Sequence, residues 1–200
     1  DFVSFEDLKK YRRDFLDFLD ISDLIKNSIK NKLGSVFESE SEEYCSIHVR
    51  CGDKYMPKIN IISDSRIEPN ENILDKIKLA SDFLETNSKN ILLFSDNKQI
   101  KDMINPKDLK EISIKDKSLK NIKYLDSIIH HSALQTTNPQ YDIAGTLDSV
   151  TEFFIMGKST AIVSLSSSGF SFWSAFLHDK PLYIMNENEI ILLTENNLRY

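Results

Sequence analysis

The sequence predicts an α/β protein with a Rossmann-like, mainly parallel sheet and helices on both of its faces. Short apolar segments typical of strands alternate along the chain with helical patterns, as expected for a parallel sheet connected by crossover helices. The 200 residues suffice for one domain with a substantial core, or for two small domains. An apolar share of 40% and a charged share of 28% are ordinary for a globular protein.

Residues 1–43 are predicted as a helical segment followed by an acidic linker. Apolar residues recur at helical spacing within Phe5–Leu33, and Ser22 is expected to cap a second helix there. A buried strand, Tyr44–Val49, is indicated next by its alternating and β-rich composition. Residues 44–200 are predicted to form the α/β domain itself.

The middle of the chain continues the alternation. Pro57 and Pro69 indicate an irregular loop over Lys54–Asn70. The elements expected after it are an amphipathic helix over Glu71–Glu85, a buried strand over Asn90–Ser95, a helix over Lys98–Ile104 that Ser95 or Asp96 can cap, and a strand over Leu109–Ile114. The stretch Asn121–Leu134 is left unassigned.

The last third of the chain is the most regular. We expect a loop over Gln135–Gly145, a helix over Leu147–Gly157, a strand over Ala161–Leu165, a helix over Gly169–His178 and a strand over Pro181–Met185. The tail from Ile190 is ambiguous.

Composition excludes several classes of function. The net charge of −6 argues against general nucleic-acid binding, so no nucleic-acid partner is predicted. No apolar run is long enough to cross a membrane and no signal peptide is recognisable, so a membrane anchor is not visible in this chain. We expect a soluble domain, of the cytoplasm or of the secretory-pathway lumen. Because the chain begins with Asp1, we expect a fragment or a processed form.

The two cysteines are predicted to be unpaired thiols. Cys45 and Cys51 lie six residues apart along an extended strand, which exceeds the Cα separation that a disulfide bridges. Their number and spacing do not fit a zinc site either, so no metal site is predicted.

The end of the first strand carries the residues of greatest chemical interest: His48, Arg50, Gly52 and Asp53. Ligands of open α/β sheets bind outside the carboxyl ends of strands. Arg50 offers a planar, permanently charged fork to a phosphate, and Gly52 allows a tight turn beside it. His48 either bonds a phosphate, organises Arg50 or is a core histidine. An ordinary surface ion pair of Arg50 with Asp53 is the alternative.

This His-x-Arg-x-Gly-Asp pattern resembles the motif of the α-1,2-, α-1,6- and protein O-fucosyltransferases. The segment Asp148–Leu177 resembles the later conserved block of that family, and Ile91–Asp96 is similar to the strand and Ser-Asp pair between the two. Many relatives carry a second arginine where this chain has Cys51. The resemblance implies that residues 44–200 are a nucleotide-sugar-binding domain, the donor-side domain of a GT-B glycosyltransferase. The acceptor half is then truncated, reduced or encoded elsewhere.

The resemblance also implies the reaction and its partners. Fucose moves from GDP-fucose to a glycan or protein acceptor with inversion and without a cofactor. Arg50 is then catalytic, since fixed cations stabilise charge growing on the departing β-phosphate. The chain contains no Asp-x-Asp, the usual metal-binding device for this task. Asp53 is the second catalytic candidate, as a group that orients Arg50; capping of the segment that follows is the alternative. Glu152 occupies the position that reads guanine in this family, and an exposed helical glutamate is the alternative.

The serine run and the residues after it complete the predicted substrate-binding set, together with His48 and Gly52. Ser166, Ser167, Ser168 and Gly169 lie between a strand and a helix, where helix-start amides bind phosphate; helix capping by serine is a compatible alternative. Phe170 is placed near the ligand.

Phe172 and Trp173 are interpreted as core residues rather than a sugar platform. Two other functions stay open: a catalytically silent module that binds a GDP-sugar, and a transferase of this fold that uses another nucleotide sugar.

Overall fold

The computed structural model describes residues 5–39, 41–51, 71–97, 121–127, 139–187 and 189–194, together with residues 100, 104 and 119. The helices are α1 (Phe5–Phe18), α2 (Asp23–Val36), α3 (Glu71–Leu84), α4 (Pro139–Lys158) and α5 (Gly169–Leu177). The strands are β1 (Cys45–Val49), β2 (Ile91–Ser95), β3 (Ile122–Tyr124), β4 (Ile162–Ser164), β5 (Leu182–Asn186) and β6 (Glu189–Leu192).

The strands form one sheet in the order β3-β2-β1-β4-β5-β6. All neighbours pair in parallel except β5 and β6. The chain enters at β1, winds outward through β2 and β3, and returns to β4 on the other side of β1. The β1/β4 boundary is therefore the topological switch point, the place where such sheets bind ligands.

Helices cover both faces of the sheet, as predicted. Alternate side chains of β1 point to opposite faces, so Ile47 packs towards α3 while His48 lies on the face of α4 and α5. On this second face, Leu33 of α2 shares a core with Ile162 of β4. Strands β1, β2 and β4 are buried along their whole length, which is typical of a parallel sheet with two covered faces.

Helix α4 begins at Pro139, so the loop predicted over Gln135–Gly145 is wrong from that residue onward. Its first turns are polar and contain Gly145, which made them read as a loop. Proline suits the first turn of a helix because the N–H that it lacks has no intrahelical partner there. Packing against α2 then stabilises α4: the Thr151 hydroxyl donates to Ser28 Oγ at 3.0 Å.

Most other predicted elements are confirmed within a residue or two. Ser22 lies at the start of α2, but its side chain makes no capping hydrogen bond; only its carbonyl accepts, from the N–H of Lys26 at 3.0 Å. Strands β3 and β6 lie in stretches that the sequence left open. The predicted strand Leu109–Ile114, the loop Lys54–Asn70 and most of the helix Lys98–Ile104 lie outside the described residues. The division at residue 43 stays a prediction.

Among the helices of the described ranges, none is long and apolar enough to cross a membrane.

Candidate functional site

The carboxyl ends of β1 and β4 meet at the switch point and carry the predicted site residues. Arg50 follows β1, and Ser166–Ser168, which we call the serine turn, follows β4. Two hydrogen bonds join the segments: the Leu165 N–H donates to the His48 carbonyl at 2.9 Å, and the Ser166 hydroxyl donates to the Arg50 carbonyl at 3.4 Å. The fold thus brings together two groups that lie more than 100 residues apart in the sequence.

Asp96, which directly follows β2, fixes both the side chain of Arg50 and the backbone after it. One carboxylate oxygen lies 2.8 Å from Arg50 Nη1, and the other accepts the N–H of Cys51 at 2.7 Å. The two side chains are only 17% and 9% exposed, so the pair is largely removed from water. Such a pair holds the guanidinium in one orientation, and removing one partner leaves a poorly solvated charge.

The sequence pointed to Asp96 only as part of the family resemblance and as a helix cap, and missed its contact with Arg50. The available signal was its position. An acidic residue directly after a buried strand lies at the same sheet edge as the residue that ends the neighbouring parallel strand. In the observed register Val49 pairs with Ser95, so the residues that follow them meet.

His48 lies in the core beneath the serine turn, with its side chain 4% exposed. Its ring stacks on Phe170 at 5.6 Å, and Nδ1 lies 3.4 Å from Ser164 Oγ. Burial lowers the pKa of His48 to about 4; nearby Asp96 acts in the opposite direction and Arg50 in the same one. The ring is therefore neutral near pH 7, and its hydrogen bond goes to a side chain that the sequence did not single out.

A group of hydroxyls supports the serine turn from the core side. The Ser164 hydroxyl donates to the Ser166 carbonyl at 2.7 Å. The Ser171 hydroxyl lies 3.0 Å from Ser164 Oγ and 3.2 Å from the Ser168 carbonyl. Ser168 Oγ accepts the N–H of Phe170 at 3.3 Å, which confirms helix capping by the serine run. Capping and anion binding remain compatible at this helix start.

The aromatic residues of α5 differ in their surroundings. Phe170 lies between His48 and Phe153, whose ring meets it edge-on at 5.6 Å. Phe172 is half-buried beside the core, as predicted, but Trp173 is 47% exposed, so its assignment to the core is wrong. A helix that covers a sheet keeps an outward face, and Trp173 lies on it.

Glu152 lies on α4 and is half-buried. Its neighbour Thr151 faces α2, and its neighbour Phe153 contacts Phe170 in the first turn of α5. Glu152 is thus one residue away from the aromatic group beside the serine turn. Gly52 and Asp53 lie outside the described residues.

Both cysteines are free, as predicted, and both are buried. Burial, and next the charge of Asp96, raise the pKa of the Cys51 thiol to about 12. Cys51 belongs to the core cluster shared with α3, so the residue that follows Arg50 is buried among apolar side chains. In the described part of the chain, no three His, Cys, Asp or Glu side chains are grouped to hold a metal ion.

Neither a protein-family model nor a curated protein matches this chain. Among solved structures, it is similar to NodZ α-1,6-fucosyltransferase co-crystallised with GDP, with a TM-score of 0.55, 11% identity, and coverage of 86% of this chain and 47% of that one. The same enzyme soaked with GDP-fucose gives a TM-score of 0.55, 11% identity, and coverage of 86% and 48%. A mutant of Arabidopsis thaliana FUT1 in complex with GDP gives a TM-score of 0.48 and 11% identity, and the match covers 86% of this chain and 37% of that one.

At this identity the likeness is one of fold. The chain spans about half the length of NodZ. Its mostly parallel sheet with helices on both faces matches the fold of the two NodZ structures.

Proposed function

We propose that this chain is the donor-binding part of a GT-B glycosyltransferase that transfers fucose from GDP-fucose to a glycan or protein acceptor. The observation that carries the proposal is the meeting of Arg50 with the serine turn at the β1/β4 switch point. The fold supports it, since NodZ, with which the chain shares this fold, has been crystallised with GDP and soaked with GDP-fucose.

The proposed chemistry depends on charge at the phosphate. An acceptor hydroxyl attacks the anomeric carbon and gives up its proton to solvent. The bond from that carbon to the β-phosphate oxygen breaks, and its electron pair remains on the phosphate. Arg50, already oriented by Asp96, lies at the edge where this charge would develop. Asp53 is proposed as a second carboxylate that orients Arg50, and a metal ion is not required.

The remaining predicted residues are proposed to bind the donor. Helix-start amides and hydroxyls of Ser166–Gly169 hold the phosphates. Phe170 is proposed to lie beside the donor, and Gly52 to allow a tight turn after Arg50. His48 is proposed to support the serine turn from the core, through Ser164. Glu152 accepts hydrogen bonds from N1–H and the exocyclic amine of guanine. Adenine presents no such pair of donors, so this contact favours GDP over ADP.

Cys51 favours a second candidate, a catalytically silent module that binds a GDP-sugar. This position is buried and uncharged, so a clamp of two adjacent arginines is not formed on this motif. One arginine suffices to hold a phosphate, while transfer also depends on charge stabilisation in the transition state. Donor hydrolysis and transfer assays separate the two functions, because the silent module binds GDP without turnover.

Nucleotide selectivity tests the proposal. Thermal unfolding is measured with GDP, UDP and ADP for the wild type, for Glu152→Gln and for the remote control Glu85→Gln. GDP at about 100 times its Kd should raise the free energy of unfolding by roughly 2.7 kcal/mol, which corresponds to a rise in Tm of roughly 5 to 10 °C for a chain of this size. The preference for GDP should shrink only in Glu152→Gln. Equal shifts with all three nucleotides in the wild type would refute guanine recognition.

A further inference from the structure

We propose that Ser171 is a positioning residue: acting with Ser164, it holds the serine turn so that the backbone N–H groups of Ser167 and Gly169 face the donor phosphates. This inference rests on the proposed function. It concerns side chains that the family resemblance does not assign to the site and that do not themselves reach the ligand.

Two buried hydroxyls lie beneath the serine turn. Ser164 at the end of β4 and Ser171 in α5 are both fully buried. Ser164 gives its hydrogen to the Ser166 carbonyl at 2.7 Å, so its oxygen can accept from Ser171 at 3.0 Å. Ser171 also lies 3.2 Å from the Ser168 carbonyl. Two carbonyls of the serine turn therefore face this pair of hydroxyls. The Ser168 carbonyl also accepts the N–H of Phe172 at 3.1 Å, the first hydrogen bond of α5.

The geometry of the peptide bond sets the direction of two N–H groups of the serine turn. In a trans peptide, the C=O of one residue and the N–H of the next point in opposite directions. The inward carbonyls of Ser166 and Ser168 therefore direct the N–H groups of Ser167 and Gly169 outward. Both of these residues are exposed, and within the described ranges neither N–H donates a hydrogen bond. Gly169 also begins α5, where the helix dipole favours an anion.

The serine turn and Ser164 also contact the end of β1, which carries His48 and Arg50. His48 Nδ1 lies 3.4 Å from Ser164 Oγ, and the Ser166 hydroxyl bonds the carbonyl of Arg50. The same contacts thus fix the serine turn relative to the segment that carries the arginine. A loss of Ser171 should disturb the phosphate contacts of the turn while the Arg50–Asp96 pair stays in place.

Ser174 provides a matched control. It lies on the same helix, is equally buried, and donates its hydroxyl hydrogen to the Phe153 carbonyl at 2.8 Å. Ser171→Ala and Ser174→Ala each remove one buried hydroxyl from α5. Both should lower the urea midpoint to a similar extent, but only the first change touches the serine turn.

GDP titrations followed by calorimetry and by amide NMR test the inference. We expect Ser171→Ala to weaken GDP binding roughly fivefold, the factor that corresponds to one ordinary hydrogen bond, and Ser174→Ala to leave it within about twofold. The GDP-induced shifts of the Ser167 and Gly169 amide signals should shrink only in Ser171→Ala. Ser164→Ala combined with Ser171→Ala should weaken binding less than the two separate losses together, since the hydroxyls act as a unit.

Two results separate the possible failures. If wild-type protein binds GDP no better than UDP and ADP, the proposed function fails and this inference fails with it. If wild-type protein prefers GDP while Ser171→Ala and Ser174→Ala bind it equally well, with unchanged amide shifts, Ser171 is only a packing residue and the inference alone is overturned.

Discussion

The buried His48 should make folding stability depend on pH. Its pKa falls from 6.5 to about 4 in the folded chain, chiefly because burial penalises the charged ring. Each pKa unit corresponds to about 1.4 kcal/mol, so the full change in the free energy of unfolding is about 3 kcal/mol. Between about pH 4 and pH 6.5 the unfolded chain binds a proton at His48 that the folded chain does not bind. Stability is therefore complete above pH 6.5 and is lost as the pH falls towards 4.

The assay compares urea unfolding of the wild type and of His48→Asn between pH 7 and pH 5. Asparagine keeps an N–H donor near the Nδ1 position but does not titrate. Over this range the free energy of unfolding should fall by about 2 kcal/mol more in the wild type than in the variant. This is the part of the His48 contribution that is lost between pH 6.5 and pH 5.

A second histidine requires a control. Burial also lowers the pKa of His178, which titrates in the same direction. The His178→Asn variant should retain the part of the pH dependence of the unfolding free energy that His48 contributes. Parallel pH curves for the wild type and His48→Asn would refute the assignment of a neutral, buried His48.

Three further predictions concern separate parts of the molecule. Asp96→Asn should destabilise the fold by roughly 3 kcal/mol in urea unfolding because it leaves Arg50 poorly compensated; a loss below about 0.5 kcal/mol would contradict this. Gly157→Ala should lower the free energy of unfolding by about 1 to 3 kcal/mol, because the added methyl group overlaps the His178 ring. Gly34→Ala, where the methyl group enters open space, should raise it by up to about 1 kcal/mol, and equal effects of the two changes would argue against that packing. GDP affinity should be unchanged by EDTA, and a loss of binding restored by Mn²⁺ would contradict metal independence.

The sequence predicted the order of strands and helices because these depend on local periodicity. Alternating apolar residues identified β1, and the serine run marked the start of α5. Once the elements are known, a parallel sheet necessarily places the carboxyl ends of neighbouring strands together. For that reason the proximity of Arg50 and the serine turn followed from pattern and resemblance, without a view of any contact.

The contacts between side chains could not be predicted in the same way. The position of Asp96 after a buried strand indicates that it shares a sheet edge with Arg50. The ion pair itself also depends on the register between β1 and β2, which no local pattern encodes. The role of Ser171 depends on how α5 lies over β4. The early start of α4 depends on its packing against α2, which outweighs the weak helix preference of its first turns.

Calorimetry with GDP on the wild type and on Arg50→Ala tests the central claim most directly. Arg12, whose ion pair with Asp179 joins α1 to the end of α5, supplies the control variant Arg12→Ala. Arg50→Ala should weaken GDP binding by about 1.5 to 3 kcal/mol, the range for a charge-assisted hydrogen bond, with partial recovery in Arg50→Lys. Arg12→Ala should bind as the wild type does. Equal GDP affinity in folded wild type and Arg50→Ala would contradict the claim that Arg50 holds the β-phosphate.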